Sequence, residues 1–559
     1  MLKYVALAGL IALMGSAAVA QGPSAPAASL PSCGVNGYAR PAYGVFGDND
    51  GVAHAYEVAG TCTPQAVKDA AEAVGMGRTR PLGLKSITTI LYSATGTLSI
   101  GGKAPVKIDK LNVQLNYMLP AARVAVTTGG DKPTTAITVF NDTLGWTERQ
   151  EGVFLAAAPK AVADLAPLYK LSPFGALTAL VEAEGNAKVS TVGGKTVISG
   201  ASPYDGIPVT VTLDEANLPV SVTAKINKHI YVASYGAFID TLESKQLVVF
   251  PSKMVVTMDG KPYADLTSTD FKSNPYVVFP VPVELPHPAT VAAASPPPAP
   301  ADGWAPPARR IDPADAFFQQ AKSSLPTPRL ADGHPDLNGQ WNGGFSSPAE
   351  PYALRRRGTF EPDQFVLQKG SYRNKPIYKP EYWQKVRDLD FSKVDVDPVF
   401  RCFAAGVPRQ GAPLRIIQTP KELWTMNVAY AGASVRVVPT DGRARSESDS
   451  DYSFALGMPL GHWDGDTMLI ESVGFNDATW LNWAGYFHTA AMKVTERLRR
   501  QGDLLYYQFT VDDPEVLAEP WTTETFVRRL NPDPLAVPEK SDECTENDLG
   551  SIIDLYMRG

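Results

Sequence analysis

Ile87-Thr88-Thr89-Ile90-Leu91-Tyr92-Ser93-Ala94-Thr95-Gly96 opens a stretch whose pattern repeats every two residues, not every three or four. Successive side chains of a strand point to opposite faces, so this period marks strand and excludes an amphipathic helix. It runs over 87–100 and returns at 111–119, 123–127, 136–140 and 145–149, each run ending at Gly, Pro or Asp. Consecutive strands with short turns predict an antiparallel meander.

Working outward, Thr63-Pro64 predicts a helix start, with Thr63 as cap and a first-turn proline. Val67, Ala70, Ala71 and Val74 follow at helical spacing as far as Gly75. Downstream, 159–169 and the run that Ser172-Pro173 opens as far as Val181 predict two helices, with Leu165, Leu168, Leu177 and Leu180 on their apolar sides. Strands are then expected at 189–199 around a Gly193-Gly194 turn, and at 209–213, 219–225, 229–238 and 247–265.

Three features together carry a resemblance: a helix leading into Ile87–Gly96, Asp214 through Leu218-Pro219-Val220-Ser221-Val222, and Phe250-Pro251 followed by Met258-Asp259-Gly260. Residues 65–283 resemble the LolA-like fold of periplasmic lipoprotein carriers. That resemblance implies a curved half-barrel sheet with helices across its mouth, and an apolar concavity able to hold an acyl chain. Residues 287–313, with Ser295-Pro296-Pro297-Pro298, have an Ala- and Pro-rich composition expected of a semi-rigid tether that demands no fixed interface.

Residues 314–559 hold seven of the nine tryptophans. Strands are expected at 414–419, 423–428, 435–439, 468–473, 492–499, 504–511 and 521–529, with hairpin-type turns at Asp441-Gly442 and Asp464-Gly465. So many sequential strands predict a second antiparallel, barrel-like sheet. The fold class is therefore mainly β with some α. Gly339-Gln340-Trp341 resembles the G-x-W first strand of lipocalin- and avidin-type barrels, which implies that Trp341 closes one end. The half as a whole resembles a group of uncharacterised exported bacterial proteins. That likeness rests on Asp332-Gly333-His334-Pro335-Asp336-Leu337, Gly406-Val407-Pro408-Arg409, Asp441-Gly442-Arg443, Trp463-Asp464-Gly465-Asp466-Thr467 and Glu496-Arg497, and it implies no particular reaction.

The chain begins with Lys3, an apolar run over 4–14 and Ala18-Val19-Ala20. This is the form of a secretory signal peptide, cut before Gln21, so periplasmic or secreted localisation is expected. No other run approaches the roughly 20 apolar residues of a membrane helix. Net charge is −7 with only short basic clusters, which argues against a nucleic-acid partner. The four cysteines of an exported chain are expected to pair as Cys33 with Cys62, in a disulfide segment at 21–62, and Cys402 with Cys544. No C-x-x-C spacing or short-spaced histidine pair suggests a metal, and no cofactor motif is present.

Function must then be sought among scattered groups. G-x-S-x-G, H-E-x-x-H, Walker and dinucleotide signatures are all absent. Of six histidines, His334, His462 and His488 fall in the second half. His488, within Trp480-Leu481-Asn482-Trp483-Ala484-Gly485-Tyr486-Phe487-His488, is the candidate base, or else a core histidine among aromatics. Glu496 shares a strand face with Val494 and Leu498, so an inward face would bury it and require a partner, with Arg436, Arg443 or Arg415 available. Asp477 is a second candidate acid. The expectation is an exported protein that binds an apolar or aromatic small molecule or lipid, with Trp341, Trp480, Trp483, Arg415, Arg436, Arg443 and His334 as ligand-binding residues. The alternative is a cofactor-free hydrolase, lyase or isomerase that uses His488, Glu496 and Asp477. Oligomeric state is not encoded in any pattern found.

Overall fold

The computed structural model describes residues 42–44, 54–57, 63–285 and 323–533, apart from stretches within the last two, the longest being 343–374. The expected signal peptide at 1–20, the expected tether at 287–313 and Trp483 lie outside the described residues. The described chain is mainly β, as expected. A short pair, β1 (Ala42–Gly44) and β2 (His54–Glu57), precedes helix α1 (Gln65–Ala73). Pro64, not Thr63, occupies the cap position of α1, and no side chain caps it. The Thr63 hydroxyl is buried with no hydrogen-bond partner, so the expected cap is corrected.

The expected five-strand meander follows as β3 (Thr89–Leu98), β4 (Val106–Asn116), β5 (Ala121–Thr128), β6 (Thr134–Asn141) and β7 (Leu144–Gln150), and a sixth strand that the sequence did not suggest, β8 (Val153–Ala157), extends it. Helices α2 (Ala161–Lys170) and α3 (Pro173–Ala183) follow. The chain re-enters the sheet through β9 (Lys188–Val192), β10 (Lys195–Ala201), β11 (Pro208–Leu213), β12 (Pro219–Ile226) and β13 (His229–Tyr235). The expected strand at 247–265 is three: β15 (Val249–Pro251), which pairs with β14 (Phe238–Asp240), then β16 (Lys253–Met258) and β17 (Lys261–Ser273). β17 runs on past Asp265 because its second half pairs with β3, which joins the two meanders into one 13-stranded antiparallel half-barrel.

The helices lie on one face of that sheet. α3 is apolar almost all round, and all eleven of its residues are buried, the signature of a helix covered on every side. Phe174 on α3 stacks on Phe271 at 5.9 Å between ring centroids, and Phe271 on Phe250 at 4.5 Å. The face on which an acyl chain would rest thus carries helices and stacked rings.

The second sheet contains β18 (Gly339–Asn342), β19 (Arg415–Gln418), β20 (Glu422–Ala429), β21 (Gly432–Pro439), β22 (Met458–Asp464), β23 (Thr467–Val473), β24 (Lys493–Gln501), β25 (Leu504–Asp512), β26 (Trp521–Thr522) and β27 (Phe526–Leu530). The order β21-β20-β19-β18-β27-β25-β24-β23-β22 curls until its two end strands approach. A methyl added at Gly461 on β22 would meet Thr440 and the side chain of Val438 on β21 at 2.9–3.0 Å. Asp464-Gly465 forms the expected hairpin between β22 and β23. Asp441-Gly442 instead leads from β21 into a loop, which corrects the expected hairpin there, because the next strand starts at Met458.

The two sheets are packed together. Residues 276–279 alternate between them: Tyr276 and Val278 belong to the core of the second sheet, and Val277 and Phe279 to a core on the outer face of the first. Helix α4 (Trp383–Asp388) reaches across. Arg123 on β5 holds Glu148 on β7 through Nε to Oε2 at 2.8 Å and Nη2 to Oε1 at 3.0 Å, and its guanidinium lies 5.0 Å from the Trp383 ring centre. Glu151 beside it accepts from Arg387 on α4, and Tyr276 Oη donates to the Pro376 carbonyl at 3.0 Å. Arg387 and Arg123 hold the Glu151 carboxyl below its ordinary pKa against the upward pull of its burial.

Candidate functional site

Cross-strand register assigns the inward face of the second sheet. Glu496 lies opposite Ile470 and Phe509, Leu498 opposite Met468 and Tyr507, and Thr425 opposite Arg436. The period-two reading of Glu496 therefore places it correctly among apolar neighbours, and it is 3% exposed. Its partner is Arg436, whose Nη1 approaches Oε2 to 2.5 Å and whose Nη2 donates to Ser472 Oγ at 2.6 Å. Tyr507 Oη donates to Glu496 Oε1 at 3.0 Å. Burial and the neighbouring carboxylate push the Tyr507 phenol well above its ordinary pKa, so it remains a donor. The Nε of Arg436 is buried and has no acceptor.

The other two arginines do not serve Glu496. Arg443 is exposed and pairs with Asp441 through Nη2 to Oδ2 at 2.7 Å, which holds that carboxyl down at about 2. Arg415 is half-buried at the start of β19, opposite Gln340 and one residue out of phase with inward-facing Ile416. Trp341 is fully buried: its Nε1 donates to the Leu337 carbonyl at 3.1 Å, and the Arg500 guanidinium covers its ring at 5.2 Å.

A second polar group forms where residues 479–488 fold back. Trp480 and Phe487 make an antiparallel bridge, which sets Thr479 and His488 opposite one another as the next pair out. Thr479 Oγ1 lies 2.7 Å from His488 Nε2, and His488 Nδ1 lies 3.1 Å from the Thr489 carbonyl. A carbonyl can only accept, so Nδ1 carries the proton and the Thr479 hydroxyl donates to Nε2. Asp513, fully buried, accepts from the Thr489 amide at 2.7 Å and from its hydroxyl at 3.0 Å. Thr479, Asp513, Ser472 and Tyr507 were not marked by any sequence motif; their roles depend on which strands meet.

Burial pulls the His488 imidazole below its ordinary pKa, and the Thr489 carbonyl, Asp513 and the more distant Asp477 only partly oppose this. A base depressed in the fold is protonated more readily when unfolded. Its contribution is full above the unfolded value near 6.5 and shrinks as pH falls, at up to about 1.4 kcal/mol per pH unit. Urea midpoints at about pH 7.5 and about pH 5.5 should therefore drop further in the native chain than in His488→Gln; an equal drop in both would show that His488 is not the group responsible.

The remaining candidates are dispersed. His334 stacks face to face on Trp463 at 4.5 Å, beside the Arg329–Asp466 ion pair, so two of the segments quoted above meet at the surface. His462 is exposed on β22, and Asp477 is exposed with no bond to His488. Trp480 is buried in the bridge described above. Of the cysteines only Cys402 is described, and it is not a free thiol; Cys33, Cys62 and Cys544, and with them both expected pairings, lie outside the described residues. Among the described residues, no three His, Cys, Asp or Glu side chains gather where a metal could sit. No family model matches the chain, and no curated protein matches it.

Proposed function

We propose that this exported chain binds an apolar or aromatic small molecule that carries an acidic group, inside the second sheet. The observation that supports this reading is Arg436. Its guanidinium is enclosed by an apolar barrel-like wall that includes Leu423, Val438, Ile470 and Leu498, yet its Nε–H has no acceptor. An unmet buried donor costs about 1–3 kcal/mol, and a ligand carboxylate would satisfy it with a charge-assisted bond. Glu496, which accepts from Tyr507 Oη, pairs with the guanidinium through Nη1. The helices packed on the first sheet favour the second as the binding element.

A fatty acid and its methyl ester differ only in the group Arg436 would read. Titration followed by fluorescence of the buried tryptophans should give at least about tenfold tighter binding for the acid, the factor that a charge-assisted bond supports. Equal affinity would sink the assignment of Arg436, and binding of neither would sink the reading as a whole.

A further inference from the structure

The pair Thr479–His488 has the arrangement of a nucleophile and its base, and it lies apart from the Arg436 cluster. We infer that the second half carries an ester-hydrolysing site in which Thr479 attacks and His488 is the general base. Three features of the geometry support this. First, proton direction is fixed: because Nδ1–H is committed to the Thr489 carbonyl at 3.1 Å, the lone pair of Nε2 faces the Thr479 hydroxyl at 2.7 Å. Second, the base is itself held by a third group, since Asp513 grips Thr489 through both its amide and its hydroxyl. Nucleophile, base and orienting group in series is the pattern of activated hydroxyls on unrelated folds. Third, Gly406 lies against the hydroxyl: a methyl there would stand 3.0 Å from both Thr479 Oγ1 and the Ala455 carbonyl, so only glycine, here at φ +74°, lets the backbone come this close.

The same contact indicates the substrate class. The Val407 amide donates to the Ala455 carbonyl at 3.1 Å, which ties the Gly406 loop to the segment holding Tyr452 and Phe454. Those two rings stack at 5.6 Å and are 47% and 48% exposed, and Phe403 on the Gly406 loop is 53% exposed. Large aromatics that stay in water in pairs suit a planar partner. The substrate is thus an aryl ester or an ester of an aromatic acid. Its ring would rest on Tyr452 and Phe454, and its carbonyl would reach Thr479 when the Phe403–Val407 segment lifts. Thr479 and His488 are each 3% exposed, so that movement is part of the inference.

The proton of Thr479 passes to Nε2 as Oγ1 bonds to the ester carbon. The bond to the leaving oxygen breaks, and that oxygen takes the proton from Nε2. A water then gives a proton to Nε2 and its oxygen to the acyl carbon, the bond to Oγ1 breaks, and Thr479 regains the proton. Burial, which holds the imidazole below its ordinary pKa, keeps it in the proton-accepting form.

The test uses the full chain with 4-nitrophenyl acetate, which reports the leaving group by colour and leaves an acetyl mass on the nucleophile. The expected result is an acetyl group on the peptide that contains Thr479, turnover retained in Thr479→Ser, and a loss of at least about a hundredfold in Thr479→Val and His488→Gln, as removal of a nucleophile or base implies. Acetyl found only on lysines, or an unchanged rate in Thr479→Val, would overturn the inference. Should Thr479→Val fail to fold, the acetyl position in the native chain and the rate of Thr479→Ser still decide it. Fatty-acid binding at Arg436 is read separately and stands or falls on its own.

Discussion

Arg123→Met is expected to lower the stability of the chain by about 3–5 kcal/mol, because it strands a buried carboxylate. Glu148 is 4% exposed, and both its oxygens are committed to Arg123. Oε1 also accepts from Trp146 Nε1 at 3.1 Å, and Oε2 from the Gly152 amide at 2.9 Å. Without the guanidinium the charge remains, far from water, with only those two neutral donors. The Trp383 ring loses its cation at the same time. Adding Glu148→Gln should restore much of the loss, because glutamine removes the charge and keeps one acceptor. The measurement is a denaturant midpoint with its slope for the single and double variants. A double variant as weak as the single would show that the ring contact matters more than the charge.

Arg436→Met should cost a similar amount, about 3–5 kcal/mol, for the same physical reason at the other buried pair. Glu496 would keep its charge with only the Tyr507 hydroxyl as donor. Arg436→Met with Glu496→Gln removes both charges and leaves Tyr507 an acceptor, so it should return close to the native midpoint. Replacing a buried ion pair by neutral groups of similar volume is often neutral or stabilising. A double variant that folds well yet no longer prefers the acid to its ester would mean that the pair serves the ligand. A double variant as weak as Arg436→Met would mean that Arg436 is needed for the wall itself.

Much of this architecture can be read in the letters. The five strands of the first meander stand within a few residues of their expected places, since alternation and turn residues act locally. The same alternation puts Glu496 on one face with Val494 and Leu498, and the register shows that this face points inward. The choice among three arginines was not legible, because strand 415–418 reads Arg-Ile-Ile-Gln, with an apolar residue on each face, and so does not declare its own phase. Arg123 escaped notice for a different reason. It lies on the outer side of a sheet, where Val278 and Trp383, more than 150 positions away, cover it. Thr479 was silent because nothing in its neighbours shows that Trp480 and Phe487 will bridge. The strand at 153–157 was missed where a turn follows Gln150 without a long polar break.

The alternating strip at 276–279 determines how the molecule comes apart. Tyr276 and Val278 look one way, Val277 and Phe279 the other, so a pull that frees the strip from one core also withdraws it from its neighbour. The two sheets are consequently expected to melt in one transition on heating. A fragment cut after residue 285 would carry two bare aromatic and aliphatic side chains where a partner had been, and the remainder would be left with a matching furrow. The two parts already hold each other, and the pair is expected to be the cooperative unit.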